Sequence, residues 1–567
     1  MMKKTIAILF AFAMPLSVLM AEELPKWADK ARKAVFSIIT YTKDNQILST
    51  GNGFYIDTEG TGVSDYALFK GAERAVIVTA DGKELPVKYM MGANDMYDVV
   101  KFKTEFDKKA EALQPAPIPS AIGQTVYLVP YSTQKSPQGQ LGTVAKVDTI
   151  GDQQYYYTLT MQTTDKTVSC PIMNAEGQVV GMIQKNSDPE SKESYAIGIR
   201  YLTEMNINAL SVNDLALNSI GIKKGLPEDE SQALVYLYMA SSVYDAKEYL
   251  GLLNDFLAKY PNNMEGYERR ATYYINQGDD ANYALAAEDL KKMIDVAEKK
   301  DEAHYNIAKL IYSYQLNLGD KQPYADWTFD FALNQINEAL AIAPEAIYYQ
   351  LQGDIYFAMQ KFAEAYTAYS TVNKTKLASA ATYYSAAKAK ELVEGSDKKE
   401  VIALMDSAVA FYPKPYGKDA APYLYERARI KSEMEDYRGA VTDYNDFYDA
   451  MLGQTSAEFH LIRSQAELNC KMYQQAINDI NKAVELDPNN VAYWIEKGSI
   501  HLRVNQVEEA IKTLSQAVTM DPENAPAYRM LGYAQIKHNE KDQGIANLQK
   551  AKELGDEVAD GLLQKYK

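Results

Sequence analysis

A repeat of 34 residues runs through the C-terminal part of this chain of 567 residues. The recurring columns are Ala476, Ala510 and Gly544; Ala483, Ala517 and Ala551; and Pro488 and Pro522. Within one period, Ala510, Leu514 and Ala517 lie at positions i, i+4 and i+7, which form one stripe of a helix. The proline that follows ends that helix because it has no amide hydrogen. Units of this length bury their apolar faces only against their neighbours, so the pattern predicts a superhelix of stacked helical hairpins with a concave groove.

These spacings and residue types resemble the tetratricopeptide repeat. The matching positions are Trp494, Gly498, Ala510, Ala517 and Pro522 in one unit and Tyr528, Gly532, Gly544 and Ala551 in the next. Looser copies continue upstream, so we predict about nine hairpins over 231–567, with an insertion near 319–323. The resemblance implies a surface that binds a protein or an extended peptide, and it does not identify that partner.

Aromatic side chains are abundant in this region and allow two interpretations. The chain has 44 tyrosines, many of them between 348 and 384. They either line a peptide-binding groove or fill the large positions of the hairpin cores with their hydroxyls at the rim, and the second interpretation is favoured for any single tyrosine. The four histidines, His304, His460, His501 and His538, are spread over different repeats, so we expect no metal site.

The region between 27 and about 199 has a different character. Short runs rich in Val, Ile, Thr and Tyr are separated by Gly, Asp and Pro. The runs that predict strands are 35–39, 75–79, 125–129, 155–159 and 179–183. Asp81 and Gly82 follow one alternating run and predict a hairpin turn. Many short strands with regular turns indicate an all-β barrel or sandwich.

Five motifs in this region resemble, in order, those of trypsin-like serine proteases of the HtrA/Deg type. They are GNGFYID at 51–57 followed by Gly60, VIVTADGKELPV at 76–87, YDVVKF at 97–102, CPIMNAEGQVVG at 170–181 and YAIGI at 195–199. The resemblance implies a trypsin-like double barrel over 27–200. Between this domain and the repeats, over 201–230, we predict a closing helix at 202–217 and then a linker with glycine and proline breaks.

The same alignment indicates that the catalytic groups of that family are missing. Ala67 occupies the position of the histidine base and Val168 that of the serine nucleophile, while Asp98 stands where the family has its aspartate. The region 27–200 contains no histidine, although the triad mechanism needs an imidazole to accept the serine proton. We therefore interpret Asp98 as a solvated or capped carboxylate at the end of a strand.

An alternative register leaves a nucleophile in place. Ser169 would then attack the substrate, with a lysine as its base. We expect the neighbouring Cys170 to be a small buried apolar residue. No residue pattern in the chain indicates a cofactor.

The N-terminus and the net charge narrow the cellular context. Residues 1–21 combine lysines, an apolar run and a small residue, as secretory signal peptides do, so we expect a periplasmic, extracellular or surface-associated protein. No later run is apolar enough for a transmembrane segment. The net charge of −17 argues against nucleic-acid binding. The two cysteines are far apart in the chain and indicate neither a disulfide framework nor a metal site.

Three functions are compatible with these features. The first is a non-catalytic exported scaffold or adaptor, in which an inactive protease-like domain holds an extended segment and the repeats recruit a partner. The second is an active trypsin-like peptidase with displaced catalytic residues. The third is an envelope chaperone or assembly factor that uses only the groove of the repeats.

Overall fold

The computed structural model describes residues 24–105, 109–133, 139–151, 154–188 and 190–566. The signal peptide predicted over 1–21 lies outside these residues. The chain forms two compact units, Met1–Tyr273 and Tyr274–Lys567.

Two closed antiparallel barrels of six strands each make up most of the first unit. In chain order their elements are α1 (Ala28–Ala31), a 3₁₀ turn (Arg32–Ala34), β1 (Val35–Tyr41), β2 (Ile47–Tyr55), β3 (Thr61–Ser64), α2 (Tyr66–Phe69), β4 (Arg74–Val78), β5 (Glu84–Asn94), β6 (Val99–Thr104), β7 (Thr125–Leu128), β8 (Gln140–Ile150), β9 (Gln154–Leu159), β10 (Pro171–Met173), β11 (Val179–Ile183) and β12 (Ser194–Gly198). The strand order is β1-β2-β3-β6-β5-β4 in the first barrel and β10-β11-β12-β9-β8-β7 in the second. The predicted double barrel is therefore confirmed.

Gly53 of the first motif and Gly62 of β3 make room for an aromatic core. Phe36 lies at the centre of the first barrel, with its ring 4.7 Å from that of Tyr55 and 6.1 Å from that of Phe102, centroid to centroid. A Cβ atom on Gly53 would lie 2.6 Å from the Phe36 ring, and one on Gly62 2.9 Å from it. The core can close around Phe36 only because both positions lack a side chain.

The segment after the second barrel differs from the predicted single helix at 202–217. It consists of α3 (Ile199–Glu204), a 3₁₀ turn (Ala209–Asn213) and α4 (Leu215–Asn218). Two side chains explain the breaks. The Lys101 ammonium donates to the backbone carbonyls of Thr203 and Met205 at the end of α3. Asp214 then accepts the first amides of α4, which starts a new helix.

The first helical hairpin shares its apolar core with the first barrel. Helices α5 (Glu230–Ala240) and α6 (Ala246–Lys259) follow α4. Their buried residues Leu237 and Phe256 belong to the same cluster as Phe36 and Met90 of the barrel. Since Ile220 in the predicted linker is also fully buried in this cluster, the first unit extends without a flexible break from the barrels into the helices.

The remaining chain is helical. Its helices are α7 (Met264–Gln277), α8 (Asp280–Val296), α9 (Lys300–Asn317), α10 (Phe329–Ile342), α11 (Ala346–Ala358), α12 (Phe362–Val372), α13 (Ala380–Glu391), α14 (Lys398–Val409), α15 (Ala421–Glu433) after a 3₁₀ turn (Lys418–Ala420), α16 (Tyr437–Ala450), α17 (Ala457–Asn469), α18 (Tyr473–Leu486), α19 (Val491–Arg503), α20 (Val507–Met520), α21 (Ala525–Lys537), α22 (Lys541–Glu553) and α23 (Glu557–Tyr566). From α5 onward, the described residues form nine consecutive helix pairs and a final single helix, as the repeat count predicted. No helix in the described ranges is long and apolar enough to cross a membrane.

The predicted insertion is an aromatic loop between α9 and α10. Trp327 in this loop is buried, and its ring lies 5.2–5.8 Å from those of Tyr283, Tyr314 and Tyr324. The Tyr314 hydroxyl accepts the backbone N–H of Tyr324 at 2.9 Å. The extra residues are therefore packed against α8 and α9 and continue the hydrophobic core of the repeat.

Glycine sets the closest helix crossings near the C-terminus. A Cβ atom on Gly498 of α19 would lie 2.5 Å from Leu514 of α20. One on Gly532 of α21 would lie 2.6 Å from the backbone oxygen of Gly544 on α22. At these positions, the glycines of the 34-residue pattern are needed because the two helices pack too closely for a side chain.

We predict that Gly532→Ala destabilises the pair α21–α22 by about 1–3 kcal/mol, because the added methyl group meets backbone atoms that cannot move aside. Faster amide hydrogen exchange in α21 and α22 is the measurement. Gly561→Ala on α23 is the matched control, since no atom lies within 4 Å of a Cβ atom there. It should leave exchange unchanged or slower, and equal effects of the two substitutions would contradict the close-crossing explanation.

Candidate functional site

Two loops of the first barrel meet where the alignment places the base and its aspartate. Strands β3 and β6 are antiparallel neighbours, with Ser64 opposite Val100, so the loop after β3 lies beside the residue before β6. There the Asp98 carboxylate accepts the backbone N–H of Ala67 at 2.7 Å. The structure therefore brings positions 67 and 98 together, as a base and its orienting carboxylate would be.

The side chains at these two positions do not form a catalytic pair. Ala67 lies in the first turn of α2, is exposed and ends at its methyl group. Asp98 has a left-handed backbone with φ of 49°, and its carboxylate caps α2 through the amide of Ala67. Asp98 thus stabilises the start of a helix, and residue 67 offers no atom that accepts a proton.

The second-barrel loop at 164–170 contains the third position, Val168. Val168 is buried, and its N–H donates to the carbonyl of Thr164 at 3.2 Å. The neighbouring amides are also engaged, since Thr167 donates to Thr164 and Ser169 to Ile183, both at 2.9 Å. An oxyanion hole needs backbone donors that point at the substrate. In this loop the amides of Thr167, Val168 and Ser169 point back into the chain.

The hydroxyl of Ser169 is buried against the other barrel. It donates a hydrogen bond to the carboxylate of Asp65, which follows β3. Ser169 has no exposed surface and Asp65 is 7% exposed. The backbone of Ser169 is left-handed, with φ of 63°, a conformation that favours glycine. In this conformation, the hydroxyl joins the two barrels and is withdrawn from solvent.

Asn52 of β2 adds a second connection between the barrels. Its buried side-chain amide donates to the carbonyls of Lys166 and Val168, both at 3.1 Å. Sequence reasoning identified neither Asn52 nor Asp65 as part of the site. Their local sequence gives no signal, since other polar residues surround both of them and their partners lie more than 100 residues away in the chain.

The electrostatics of this region favour neutral groups. The pKa of the Asp65 carboxyl is raised to about 7. Burial is the main cause and the nearby charge of Asp98 adds to it, while the Ser169 hydrogen bond and the charge of Lys185 act in the opposite direction. Burial also raises the pKa of the Cys170 thiol to about 12. Because the thiolate is the nucleophilic form, Cys170 is chemically inert at neutral pH and contributes apolar packing, as expected from its sequence.

In the helical array, the sequence-predicted repeat positions take structural roles. Ala510, Ala517 and Ala551 are fully buried. The Trp494 indole N–H donates to the carbonyl of Pro488 at 2.9 Å, which joins α19 to the loop before it. Gly498, Gly532 and Gly544 lie at the helix crossings described above, Pro522 follows the end of α20, and Tyr528 is half-buried on α21.

Tyrosines of this array follow the core-filling interpretation. Tyr348 and Tyr369 have buried rings. Their hydroxyls donate to carboxylates at the edge of the core, Tyr348 to Asp301 at 2.9 Å and Tyr369 to Asp354 at 2.7 Å. These rings therefore pack within the repeats and leave only their hydroxyl groups for polar contacts.

Within each of two successive hairpins, an ion pair joins the first helix to the second. Arg427 on α15 binds Asp443 on α16 through two nitrogens. Arg463 on α17 binds Asp479 on α18 in the same way. The partners are 16 residues apart in both cases, a regularity that the sequence contained and that the search for apolar columns missed.

The pair on α17 and α18 lies in a larger buried cluster. His460 also contacts Asp479, at 2.9 Å. Glu467 is 4% exposed and lies near this carboxylate. Burial, together with the charge of Asp479, raises the pKa of Glu467 to about 8. Glu467 is therefore protonated at neutral pH, and the Asp479 carboxylate is the charged partner of Arg463.

The first helices of neighbouring hairpins are connected by a half-buried network of ion pairs. Arg429 on α15 binds Glu391 on α13 at 2.6 Å, and Lys388 on α13 binds Glu426 on α15 at 2.9 Å. Each positive group meets a carboxylate from the adjacent hairpin. The network thus contributes to the stacking of successive units, and its Lys388 and Arg429 are both engaged by carboxylates of the chain itself.

Comparison with protein-family models gives two matches. Residues 51–182 match the trypsin-like peptidase domain, and residues 471–536 match the tetratricopeptide repeat. Among curated proteins, none matches the chain significantly. The barrels of the first unit are therefore a trypsin-like peptidase domain, and the helical array contains tetratricopeptide repeats.

The raised pKa of Asp65 predicts a specific pH dependence of stability. The folded protein holds the proton up to about pH 7, while the unfolded chain releases it near the ordinary value of 3.8. The free energy of unfolding should therefore fall as pH rises from about 4 to about 7, by on the order of 4 kcal/mol. Denaturant unfolding at several pH values measures this slope, and Asp65→Asn should remove its share. An unchanged slope in that variant would show that Asp65 titrates normally.

We predict that removing a buried carboxylate destabilises the array more than removing an exposed one. Asp479→Ala should destabilise the array by about 3–5 kcal/mol, because it leaves the Arg463 charge buried without a partner. Glu485→Ala, which removes the exposed partner of Lys482, should cost at most about 1 kcal/mol. Amide hydrogen exchange in α17 and α18 measures both effects, and similar effects of the two substitutions would be evidence against a structural role of the buried pair.

Proposed function

We propose that this chain is an exported scaffold or adaptor that binds proteins or extended peptides without cleaving them. In this function, the trypsin-like domain is a pseudoprotease that retains the fold and has lost the chemistry. The tetratricopeptide repeats recruit a partner, and the barrels hold an extended segment of it. The proposed location is the periplasm, the extracellular space or the cell surface, on the basis of the signal-peptide pattern at 1–21.

The observation that carries this proposal is the buried hydrogen bond between Ser169 and Asp65. A serine nucleophile has to reach a substrate carbonyl and transfer its proton to a base. The Ser169 hydroxyl is fully buried and donates a hydrogen bond to the carboxylate of Asp65, which is also buried, so it is not positioned to reach a substrate carbonyl. This geometry disfavours the alternative peptidase with displaced catalytic residues.

The degenerate site still has a surface on which a peptide can bind. Ala67 is exposed beside Asp98, so an extended segment can contact the domain here. Because both barrels are closed and have no free sheet edge, this contact would be made with loops and side chains. Loss of the catalytic groups and retention of the fold are expected when a domain is used for binding. The repeats supply the second binding surface, because each hairpin buries only the faces that contact its neighbours.

We predict that the purified chain hydrolyses casein and fluorogenic peptides no faster than its Ser169→Ala and Cys170→Ala variants. The physical reason is the absence of an accessible nucleophile and base, whose loss costs on the order of 10⁶ in kcat in serine proteases. Hydrolysis that disappears in either variant would establish a peptidase and overturn the proposal.

A photo-crosslinking experiment tests where the partner binds. A photoreactive residue is placed at exposed Gln465 on α17, or at exposed Ala67 in the degenerate site, and adducts formed in the envelope fraction are identified by mass spectrometry. The scaffold function predicts the same partner from both positions. Adducts at Gln465 alone would instead favour a chaperone or assembly factor that uses only the repeats, and adducts at neither position would contradict both.

A further inference from the structure

A cavity of about 670 Å³ lies on the first barrel, away from the degenerate triad. Strands β3 and β6 connect the two places. Thr61 and Lys103 line the cavity at one end of these strands, whereas Ala67 and Asp98 lie just beyond the other end. The cavity is therefore a separate site on the same domain, and its volume falls within the range of small-molecule pockets.

Helix α6 and the segment before α5 form the opposite wall of this cavity. That segment is fixed to β5 by backbone hydrogen bonds. The N–H of Met90 donates to the carbonyl of Lys223, and the N–H of Gly225 donates to the carbonyl of Met90, both at 2.8 Å. Because α6 shares its core with the barrel, both walls are rigid and the cavity is preformed.

Five lysines line the cavity, and three of them have a carboxylate partner there. The pairs are Lys103 with Glu59 at 3.5 Å, Lys223 with Asp255 at 2.5 Å and Lys259 with Glu228 at 3.0 Å. The fourth carboxylate, that of Asp57, accepts the backbone amides of Glu59 and Thr61. The acidic groups of the cavity are thus already engaged.

The two other lysines, Lys88 and Lys224, contact no carboxylate among the described residues. The Lys224 ammonium donates only to the carbonyl of Ile220, at 2.6 Å, which leaves two of its three hydrogens for a ligand. Partial burial lowers the pKa of Lys224, and the nearby charges of Glu248 and Glu73 partly offset this effect without contacting the ammonium. With five lysines and four carboxylates, the lining of this cavity carries an excess of one positive charge.

A second cavity of about 310 Å³ adjoins this one and shares Lys223, Lys224 and Asp255 with it. Its other lining residues are Gly221, Tyr244, Glu248, Gly251 and Leu252. The Glu248 carboxylate accepts the N–H of Asp245 at 3.4 Å, and the rest of this added lining is mostly apolar. The two cavities together offer a positively charged compartment and an apolar compartment that meet at Lys224.

We propose that the paired cavities bind a small organic anion, with a phosphate or carboxylate group near Lys88 and Lys224 and an apolar body near Tyr244 and Leu252. This site goes beyond the scaffold function and does not depend on it. It would give a strongly acidic protein a local binding site for a negatively charged molecule.

The test uses the full chain with phenyl phosphate and phthalate as aromatic anions and inorganic phosphate as an anion without an apolar body. Isothermal titration calorimetry should detect binding of an aromatic anion at about millimolar concentration or below, and inorganic phosphate should bind more weakly. Tighter binding of phenyl phosphate than phthalate would identify a phosphate group as the preferred charge, and the reverse order a carboxylate. The Lys88→Gln/Lys224→Gln variant should bind at least about tenfold more weakly, whereas Lys247→Gln, at an exposed position of α6 outside both cavities, should bind normally.

Chemical footprinting keeps the proposal testable if the double variant does not fold. In the unmodified chain, the bound aromatic anion should slow the acetylation of Lys88 and Lys224 and leave that of Lys247 unchanged. Failure of both aromatic anions to bind, equal affinity of the double variant, or equal protection of all three lysines would overturn the proposal.

Discussion

The hydrogen bond from Ser169 to Asp65 determines what the trypsin-like domain can do. It joins the loop after β3 to the loop before β10, so it fixes the two barrels where a peptidase would place its nucleophile and base. Both groups are buried. Breaking the hydrogen bond would leave each group without a partner and without water to replace it, so the pair stays bonded in the folded state. The interaction that stabilises the interface between the barrels therefore also keeps the Ser169 hydroxyl away from the surface.

The helical array depends on a different constraint, which is the distance between helix backbones. Gly532 and Gly544 allow α21 and α22 to approach until backbone atoms almost touch, and alanines elsewhere keep the pairs close. Buried pairs such as Arg463 with Asp479 then fix the register of one helix on the next. Because such pairs contribute specificity more than net stability, we interpret them as contacts that align the two helices of each hairpin.

Much of the fold follows from the sequence because its signals are local or periodic. Glycine and alanine recur every 34 residues where helices cross closely, and Gly53 is a glycine because Phe36 occupies the space that a side chain would need. The prediction of a single helix at 202–217 was wrong, because the side chain of Lys101, distant in the sequence, binds backbone carbonyls of this segment and interrupts the helix. A contact across about 100 residues leaves no trace in local pattern or propensity.

For the candidate site too, the sequence predicted some contacts and missed others. Alignment placed positions 67 and 98 together, and the contact between Asp98 and Ala67 agrees with it. The partner of Ser169 could not be found from the sequence, because Asp65 becomes its neighbour only when the second barrel packs on the first. The same holds for the lysine-lined cavity, whose walls come from the barrel and from α6, regions that the sequence assigned to different domains.

Covalent labelling of Ser169 tests the central claim most directly. A fluorophosphonate probe reacts with activated serines of serine hydrolases, and intact-mass spectrometry of the treated chain counts the adducts. The hydrogen bond to Asp65 and the burial of the hydroxyl predict no adduct in the folded protein. A stoichiometric adduct that maps to Ser169 would show an accessible, activated nucleophile and would contradict the assignment of this domain as a pseudoprotease.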